Sequence, residues 1–239
     1  MAVEIVQAGA SLERALLEAA RKIFSTLAAQ PKDAPLTIGL CGGRSVVGLL
    51  TALERESHQQ PGDLLGRVQF FMVDERLVPL TDEQSNFGGL KKLLFDALVN
   101  QGAIEASQLH PFVTDDIQPD FGCASYAEEL YRFGGRFTVV VLGVGEDGHV
   151  AGLFPQHLVL RNEERAFFSF KDSPKPPPAR MTAGKALITA ASLSILLFLG
   201  EGKRAAWSAF NAAGTSTAEC PALLATAAES CVIVTDLAG

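Results

Sequence analysis

Short, continuous apolar runs alternate along this chain with segments of helical periodicity, and this alternation limits the folds open to it. The runs lie at 36–41, 68–73, 137–142, 195–199 and 231–235. Strands whose residues are all apolar are buried on both faces, as in parallel sheets that are covered by helices. Strands that alternate with helices predict an α/β fold with a mostly parallel sheet.

The clearest helix is predicted at 12–27, where apolar residues recur at i, i+3 and i+4 and Ser11 is placed to cap the first turn. Further helices are predicted at 46–56, 86–99, 124–131 and 203–211. We therefore expect a Rossmann-like layered α/β fold, with a mostly parallel sheet flanked by helices, in a single domain over 1–239. The stretch 161–180 is rich in proline and charge, so we expect an exposed loop there rather than a linker.

Charge and composition exclude several classes of function. The chain has 20 Lys and Arg against 27 Asp and Glu, a formal charge of −7, and no basic run, so nucleic acid is not an expected partner. The longest uncharged stretch, 186–200, is shorter than the ~20 residues that cross a bilayer, so no membrane role is expected. Charged residues interrupt the first thirty positions, which predicts no signal peptide and a cytoplasmic protein.

The cysteines and histidines predict neither disulfides nor a metal site. The four cysteines form no C-x-x-C pair, and the four histidines show no spacing typical of metal ligands. We expect reduced thiols, with Cys41 and Cys231 packed in strands, and no metal or cofactor.

In open α/β sheets, ligands bind beyond the carboxyl ends of the strands, so the loops there are the candidate site. The first loop contains Gly42, Gly43, Arg44 and Ser45 before a helix, which fits either a phosphate site or only a tight turn. The second contains Asp74, Glu75 and Arg76, followed by Ser85 and Asn86. These are either catalytic groups or a solvated salt-bridge cluster with a simple helix cap.

The third loop, 143–149, reads Gly-Val-Gly-Glu-Asp-Gly-His and matches G-x-G-x-x-G after a strand. A dinucleotide site is not favoured, because Glu146 and Asp147 would face a pyrophosphate and Pro155 interrupts the expected helix. A lone histidine is most often structural, but in such a loop it is a candidate base, which indicates His149. Arg180 and Lys203 add cations, which are either ligand groups or surface charges. A lysine in the first turn of a helix is unfavourable with the helix dipole, which favours an anionic ligand at Lys203, although Glu201 compensates part of its charge.

In this order, the loops resemble those of the family that contains the 6-phosphogluconolactonases and the glucosamine-6-phosphate deaminases. The most specific segments are 74–79 with 85–86, and 142–155. Arg76 and the sequence Ala-Gly-Leu-Phe-Pro at 151–155 resemble the lactonases rather than the deaminases. Gly152 departs from the serine usual in lactonases, and Cys41 and Arg44 depart from the usual glycine loop.

The resemblance implies hydrolysis of 6-phospho-D-glucono-1,5-lactone to 6-phosphogluconate, a step of the oxidative pentose phosphate pathway. It implies His149 as the general base, with Asp147 to orient the ring or a water. Arg76 would stabilise charge or hold sugar hydroxyls, and Asp74 completes the catalytic set. The phosphate would be bound by residues of the first and fourth loops, namely Gly42, Gly43, Arg44, Ser45, Arg180 and Lys203.

Two alternatives stay open at this stage. The first is a deaminase and isomerase acting on amino-sugar phosphates, with Asp74 as a base at the sugar C2. The second is a non-catalytic sensor of sugar phosphates, in which His149 would have no use. The sequence leaves the oligomeric state open and is compatible with a monomer.

Overall fold

The computed structural model describes residues 2–9, 11–59 and 62–237, without the side chains at 44, 45, 62 and 63. Seven strands form the main sheet: β1 (Ala2–Gln7), β2 (Leu36–Leu40), β3 (Val68–Met72), β5 (Leu109–His110), β6 (Val139–Gly143), β9 (Leu193–Phe198) and β10 (Ser230–Thr235). Their order is β1-β10-β9-β6-β2-β3-β5, and all neighbouring pairs are parallel. The predicted α/β class and mostly parallel sheet are confirmed.

Helices cover the sheet: α1 (Leu12–Ala28), α2 (Arg44–Ser57), α3 (Gly62–Gly66), α4 (Asn86–Leu90), α5 (Asp96–Asn100), α6 (Cys123–Arg132), α7 (Lys185–Thr189) and α8 (Arg204–Asn211). A π-helical turn, Lys91–Phe95, joins α4 to α5, so the helix predicted at 86–99 is present with a change of winding. Short 3₁₀ turns lie at Ala106–Gln108, Leu158–Arg161, Glu201–Lys203 and Pro221–Ala227.

Helix α1 shows why the apolar periodicity predicts a packed helix. Ser11 caps it, since its side-chain oxygen accepts a hydrogen bond from Arg14 N at 3.3 Å. One face is buried by Ala15, Leu16, Ala19, Ala20, Ile23, Phe24 and Leu27. This stripe recurs every three to four residues, so the helix packs its apolar side into the core and leaves its charges outside.

A second, antiparallel sheet corrects the prediction for 161–180. Strands β4 (Asp74–Arg76), β8 (Arg180–Ala183) and β7 (Phe167–Phe170) pair in that order. Phe167 is buried, with its ring centroid 4.8 Å from that of Tyr126, so this part of the stretch is core rather than exposed loop. The run of four residues is too short to stand out by periodicity beside the prolines that follow.

The second sheet extends the carboxyl-terminal edge of the main sheet. A single residue, Val73, separates β3 from β4, and it links the sheets by accepting a hydrogen bond at its carbonyl from Ala183 N, at 2.6 Å. Strands β4 and β8 therefore stand where the first and third predicted loops also emerge. No helix of the described residues is long and apolar enough to cross a membrane.

Candidate active site

A cavity of about 850 Å³ lies where the four predicted loops meet. Most of the predicted site residues line it, namely Gly42, Gly43, Asp74, Arg76, His149, Arg180 and Lys203. Asp147 does not line the cavity itself but pairs with the ring of His149. The predicted side chains of Arg44 and Ser45 lie outside the described residues, although their backbone forms the start of α2.

The histidine loop holds an imidazole against a carboxylate. His149 Nδ1 lies 2.5 Å from Asp147 Oδ1, and His149 N donates to the same oxygen at 3.3 Å. Partial burial raises the pKa of Asp147, but the hydrogen bonds from His149 and the charges of His149 and Lys175 outweigh it and hold the pKa below its usual range. When Nδ1 carries the proton that Asp147 accepts, Nε2 is the ring nitrogen that can take a proton from water.

Glycine at position 145 is required by this pairing. A Cβ atom there would stand 2.0 Å from His149 Nδ1 and 2.6 Å from Asp147 Oδ1, far inside contact distance. Gly148 has a φ of +85°, a left-handed value that glycine adopts readily. Gly145 therefore makes space for the His149 and Asp147 pair, and Gly148 provides the left-handed turn before the histidine.

Phe154, which is fully buried, supports two site residues with one ring. Its centroid lies 4.6 Å from that of His149, and Arg180 Cζ lies 5.7 Å from the ring centroid. The ring thus fixes the imidazole from one side and receives the guanidinium in a cation–π contact. The motif 151–155 contributes to the site through this packing.

The two acids of the second loop have different roles. The side chain of Glu75 is fully buried, and its oxygens accept hydrogen bonds from the backbone N–H groups of Arg76, Asn86 and Phe87 at 2.7–2.8 Å. Burial raises its pKa, and these donors oppose the rise. Glu75 therefore clamps the start of α4, while Asp74 lines the cavity.

Asp74 is a buried carboxylate in a cationic setting. Burial raises its pKa, and the nearby charges of Arg76, Arg180 and His149 lower it. Its Oδ1 has no hydrogen-bond partner within the described part of the chain. Asp74 therefore balances the charge of the arginines and keeps an acceptor that no described residue satisfies.

Two arginines stand side by side at the cavity. Arg76 on β4 is the register partner of Arg180 on β8. Arg76 Nη1 donates to Gln84 O at 2.6 Å, while its Nε is buried and has no partner among the residues described. Burial lowers the pKa of Arg180, Asp74 opposes this effect and the charge of Arg76 adds to it. Two adjacent cations favour an anionic ligand.

The first loop brings the start of α2 to the cavity. Gly43 has a φ of +105° and precedes α2, a 14-residue helix whose first N–H groups can bind an anion. A Cβ atom at Gly42 would stand 1.9 Å from Asn86 Oδ1. Asn86 Nδ2 donates to Asp74 O at 2.9 Å, so Asn86 links the first loop to the second. Ser85 caps α4 by accepting from Gly88 N at 3.0 Å.

Several lining residues were not predicted. Lys175 and Pro176 reach the cavity from the proline-rich segment, and Asp236 lines it after β10 and accepts from Gly200 N. Asp236 follows an apolar run, as the predicted loop residues do, so the same rule would have found it. Nothing in a run of prolines indicates which side chain turns toward a site.

The thiols of this chain lie in the protein interior. All four cysteines are buried and form no disulfide. Cys41 lies beside the first loop, where burial, with the charge of Asp74, raises the pKa of its thiol to about 12. Thiols of this kind are inert. Cys41 packs in the core as predicted, but it lies one residue beyond β2 rather than within the strand. No group of three or more potential metal ligands occurs within the described residues.

Comparison with known proteins shows the family of this chain. The family model for glucosamine-6-phosphate isomerases and 6-phosphogluconolactonase matches residues 10–234, so the chain belongs to this family. A 6-phosphogluconolactonase of Borreliella burgdorferi is 34% identical over 206 residues, which cover 86% of each chain. The human 6-phosphogluconolactonase is 33% identical over 177 residues, which cover 72% of this chain and 67% of its own.

Solved structures share the fold at lower identity. The crystal structure of a 6-phosphogluconolactonase from Thermotoga maritima has a TM-score of 0.78 and 22% identity, with 98% of both chains covered. A monomeric glucosamine-6-phosphate deaminase has a TM-score of 0.77 and 19% identity, with 98% of this chain and 97% of its own covered. Both branches of the family therefore share this architecture, and the choice between them depends on the site and the sequence relatives.

Proposed function

We propose that this protein hydrolyses 6-phospho-D-glucono-1,5-lactone to 6-phosphogluconate, as the names of its sequence relatives indicate. The observation that carries the proposal is the cavity itself. It presents a carboxylate-bound histidine at one wall and the arginine pair Arg76 and Arg180 at another. A base and two cations that line the same cavity suit an ester substrate that carries a phosphate group.

In the proposed reaction, His149 Nε2 takes a proton from water as the water oxygen attacks the lactone carbonyl carbon. Asp147 holds the ring at Nδ1 and stabilises the imidazolium that forms. The C1–O5 bond of the tetrahedral intermediate then breaks, and O5 takes the proton from His149. The products are the open-chain acid and the free base, so the site returns to its starting state.

Arg76 is proposed to stabilise the oxyanion of this intermediate. Its Nε donor lacks a hydrogen-bond partner among the described residues, while Nη1 is fixed by Gln84. A donor that is already held in place stabilises developing charge without reorganisation. Asp74, whose charge interacts with those of Arg76 and Arg180, is proposed to keep the two guanidinium groups at this wall.

The phosphate is proposed to bind at the start of α2, through Gly42, Gly43, Arg44 and Ser45, with Arg180 and Lys203. Both glycines and both cations line the cavity. Binding energy from a remote dianion can orient the reacting ester, so this site would raise the rate as well as the affinity.

We also propose that the enzyme acts in the cytoplasm as one domain, on a small molecule and without nucleic acid.

The first test is acid release from freshly prepared 6-phosphogluconolactone at neutral pH, corrected for spontaneous hydrolysis. Replacing the base, His149→Ala, should lower kcat by about 10²–10⁴-fold with little change in KM. His58→Ala removes an exposed histidine after α2 and should leave both constants unchanged. Wild-type turnover in His149→Ala would show that the base is assigned wrongly.

The same preparation separates the two alternatives. Ammonia release from glucosamine 6-phosphate, with no lactone hydrolysis above background, would favour a deaminase that uses Asp74 as the base. Binding of 6-phosphogluconate without turnover of either substrate would favour a sensor. The sequence relatives support the lactonase, and the deaminase structure shares only the fold.

A further inference from the structure

One lysine reaches the cavity from the proline-rich segment, and the proposed reaction gives it no role. Lys175 Nζ lies 3.5 Å from Asp147 Oδ2. The other oxygen of that carboxylate, Oδ1, lies 2.5 Å from His149 Nδ1. Asp147 is therefore held at one oxygen by Lys175 and pairs through the other with the proposed base.

The backbone around Lys175 is fixed by hydrogen bonds. Ser173 Oγ accepts from Lys175 N at 3.2 Å and from Arg180 Nε at 3.1 Å. Arg180 Nη2 also donates to Pro176 O at 3.1 Å, and Arg180 itself is buried. A buried guanidinium thus holds the chain on both sides of Lys175, which directs this lysine toward the cavity.

A second contact docks the same segment onto the loop that follows His149. His157 Nδ1 accepts from Val159 N at 3.2 Å, so the ring proton is on Nε2, which lies 3.1 Å from Asp172 Oδ1. The segment and the histidine loop are therefore joined at two points, Asp172 to His157 and Lys175 to Asp147. These two contacts set the position of the segment relative to the histidine loop.

We propose that Lys175 is a positioning residue, which fixes the orientation of the Asp147 carboxylate and through it the imidazole of His149. This inference rests on the proposed lactonase function. An ion pair at the second oxygen restricts rotation of the carboxylate about its Cβ–Cγ bond, whereas a carboxylate held only by His149 has more orientations open. Asp147 and Lys175 are each about one-third exposed, so we expect a modest effect.

The test is a double-mutant cycle between Lys175 and Asp147. Lys175→Met should lower kcat about two- to fivefold and leave KM unchanged, as the loss of a partly exposed ion pair predicts. Lys175→Arg should restore most of the lost kcat. In the Asp147→Asn background, Lys175→Met should have no further effect, because the group through which it acts is already altered. Lys171→Met is the matched control, since Lys171 lies in the same segment over the ring of Phe121, and it should keep wild-type constants.

Two results would overturn the proposal. An equal loss of kcat in both backgrounds would show that Lys175 does not act through Asp147. A higher KM with unchanged kcat would show that it binds the substrate instead.

A spectroscopic measurement tests the same point without turnover. The ring ¹H–¹⁵N signals of His149, assigned with His149→Ala, should shift in Lys175→Met and stay in place in Lys171→Met. Unchanged signals in Lys175→Met would contradict the proposal. If the wild type lacks lactonase activity, the proposed function fails, and these spectra still decide whether Lys175 positions the pair.

Discussion

At the scale of single residues, Gly145 shows most directly how the backbone makes chemistry possible. The hydrogen-bonded pair of Asp147 and His149 occupies the space that a side chain at 145 would need. Any larger residue would force one of the two to move. The glycine is thus part of the active site, although it supplies no functional group.

We expect Gly145→Ala to lower kcat about 10- to 100-fold, because displacing the imidazole by about 1 Å costs on this order. Gly89→Ala is the control, since a Cβ at Gly89 meets nothing within 4 Å and the residue lies inside α4. Kinetics of both variants, with circular dichroism to show that each is folded, would test this. Normal turnover in Gly145→Ala would mean that moving Asp147 and His149 does not affect the reaction. The pair would then not be the catalytic group.

Residue types and spacing were sufficient to predict that His149 and Asp147 lie in a loop at the cavity, because a glycine loop after a buried strand exposes whatever polar groups it contains. They were not sufficient for Lys175. Its direction depends on hydrogen bonds with Ser173 and on the buried Arg180, whose own position is set by the pairing of β8 with the distant strand β4. That pairing is tertiary, and no local pattern encodes it.

At the scale of elements, strand β4 separates two acids that the sequence could not tell apart. Successive side chains of a strand point to opposite faces. Asp74 and Arg76 therefore share the face that lines the cavity, while Glu75 points away toward α4. A three-residue strand is too short to predict by periodicity, so both the catalytic and the salt-bridge interpretation of this loop remained open. The structure gives a cavity position to Asp74 and a capping position to Glu75.

We expect Glu75→Gln to lower the free energy of unfolding by about 2–3 kcal/mol. The amide NH₂ of glutamine cannot accept a hydrogen bond, so it would leave at least one buried backbone N–H at the start of α4 without an acceptor. Urea unfolding would measure the change. Glu83→Gln, an exposed acid in the same loop, is the control and should change stability by less than about 0.5 kcal/mol. Equal stability of the two variants would contradict the role of Glu75 in holding the start of α4.

The contact between β8 and the histidine loop also explains a departure from the family pattern. Gly152 stands where the lactonases usually have serine, and a Cβ there would lie 2.7 Å from Thr182 Cβ. Gly152 N donates to Thr182 Oγ1 at 2.9 Å. Thr182 thus occupies the space that a side chain at position 152 would need, and its hydroxyl fixes the loop backbone.

At the scale of the whole molecule, the sequence predicted the main sheet well because its strands are continuous apolar runs. It missed β1 and β5, which lie at the two edges, and the second sheet of β4, β8 and β7. The missed strands are short or only partly buried, so their hydrophobic signal is weak. The rule that ligands bind beyond the carboxyl ends of parallel strands still located the cavity, since it depends on the main sheet alone.

The chain has a net charge of −7, but Arg76 and Arg180 form a cationic wall in the cavity. An anionic ligand bound there should stabilise the whole fold. A ligand that binds only the folded state at about 100 times its Kd stabilises it by about 2.7 kcal/mol. For a chain of this size, 6-phosphogluconate should then raise the Tm by about 5–10 °C. Added salt should reduce this shift through screening.

The location of the anion site can be tested by the same measurement. Arg180→Met should abolish most of the ligand-induced rise in Tm, whatever its effect on the Tm of the free protein, because the rise measures binding alone. Arg136→Met removes a half-exposed arginine that pairs with Glu229, and it should keep the full rise. A full rise in Arg180→Met would show that Arg180 does not hold the anion, and the phosphate site would then have to be sought away from this residue.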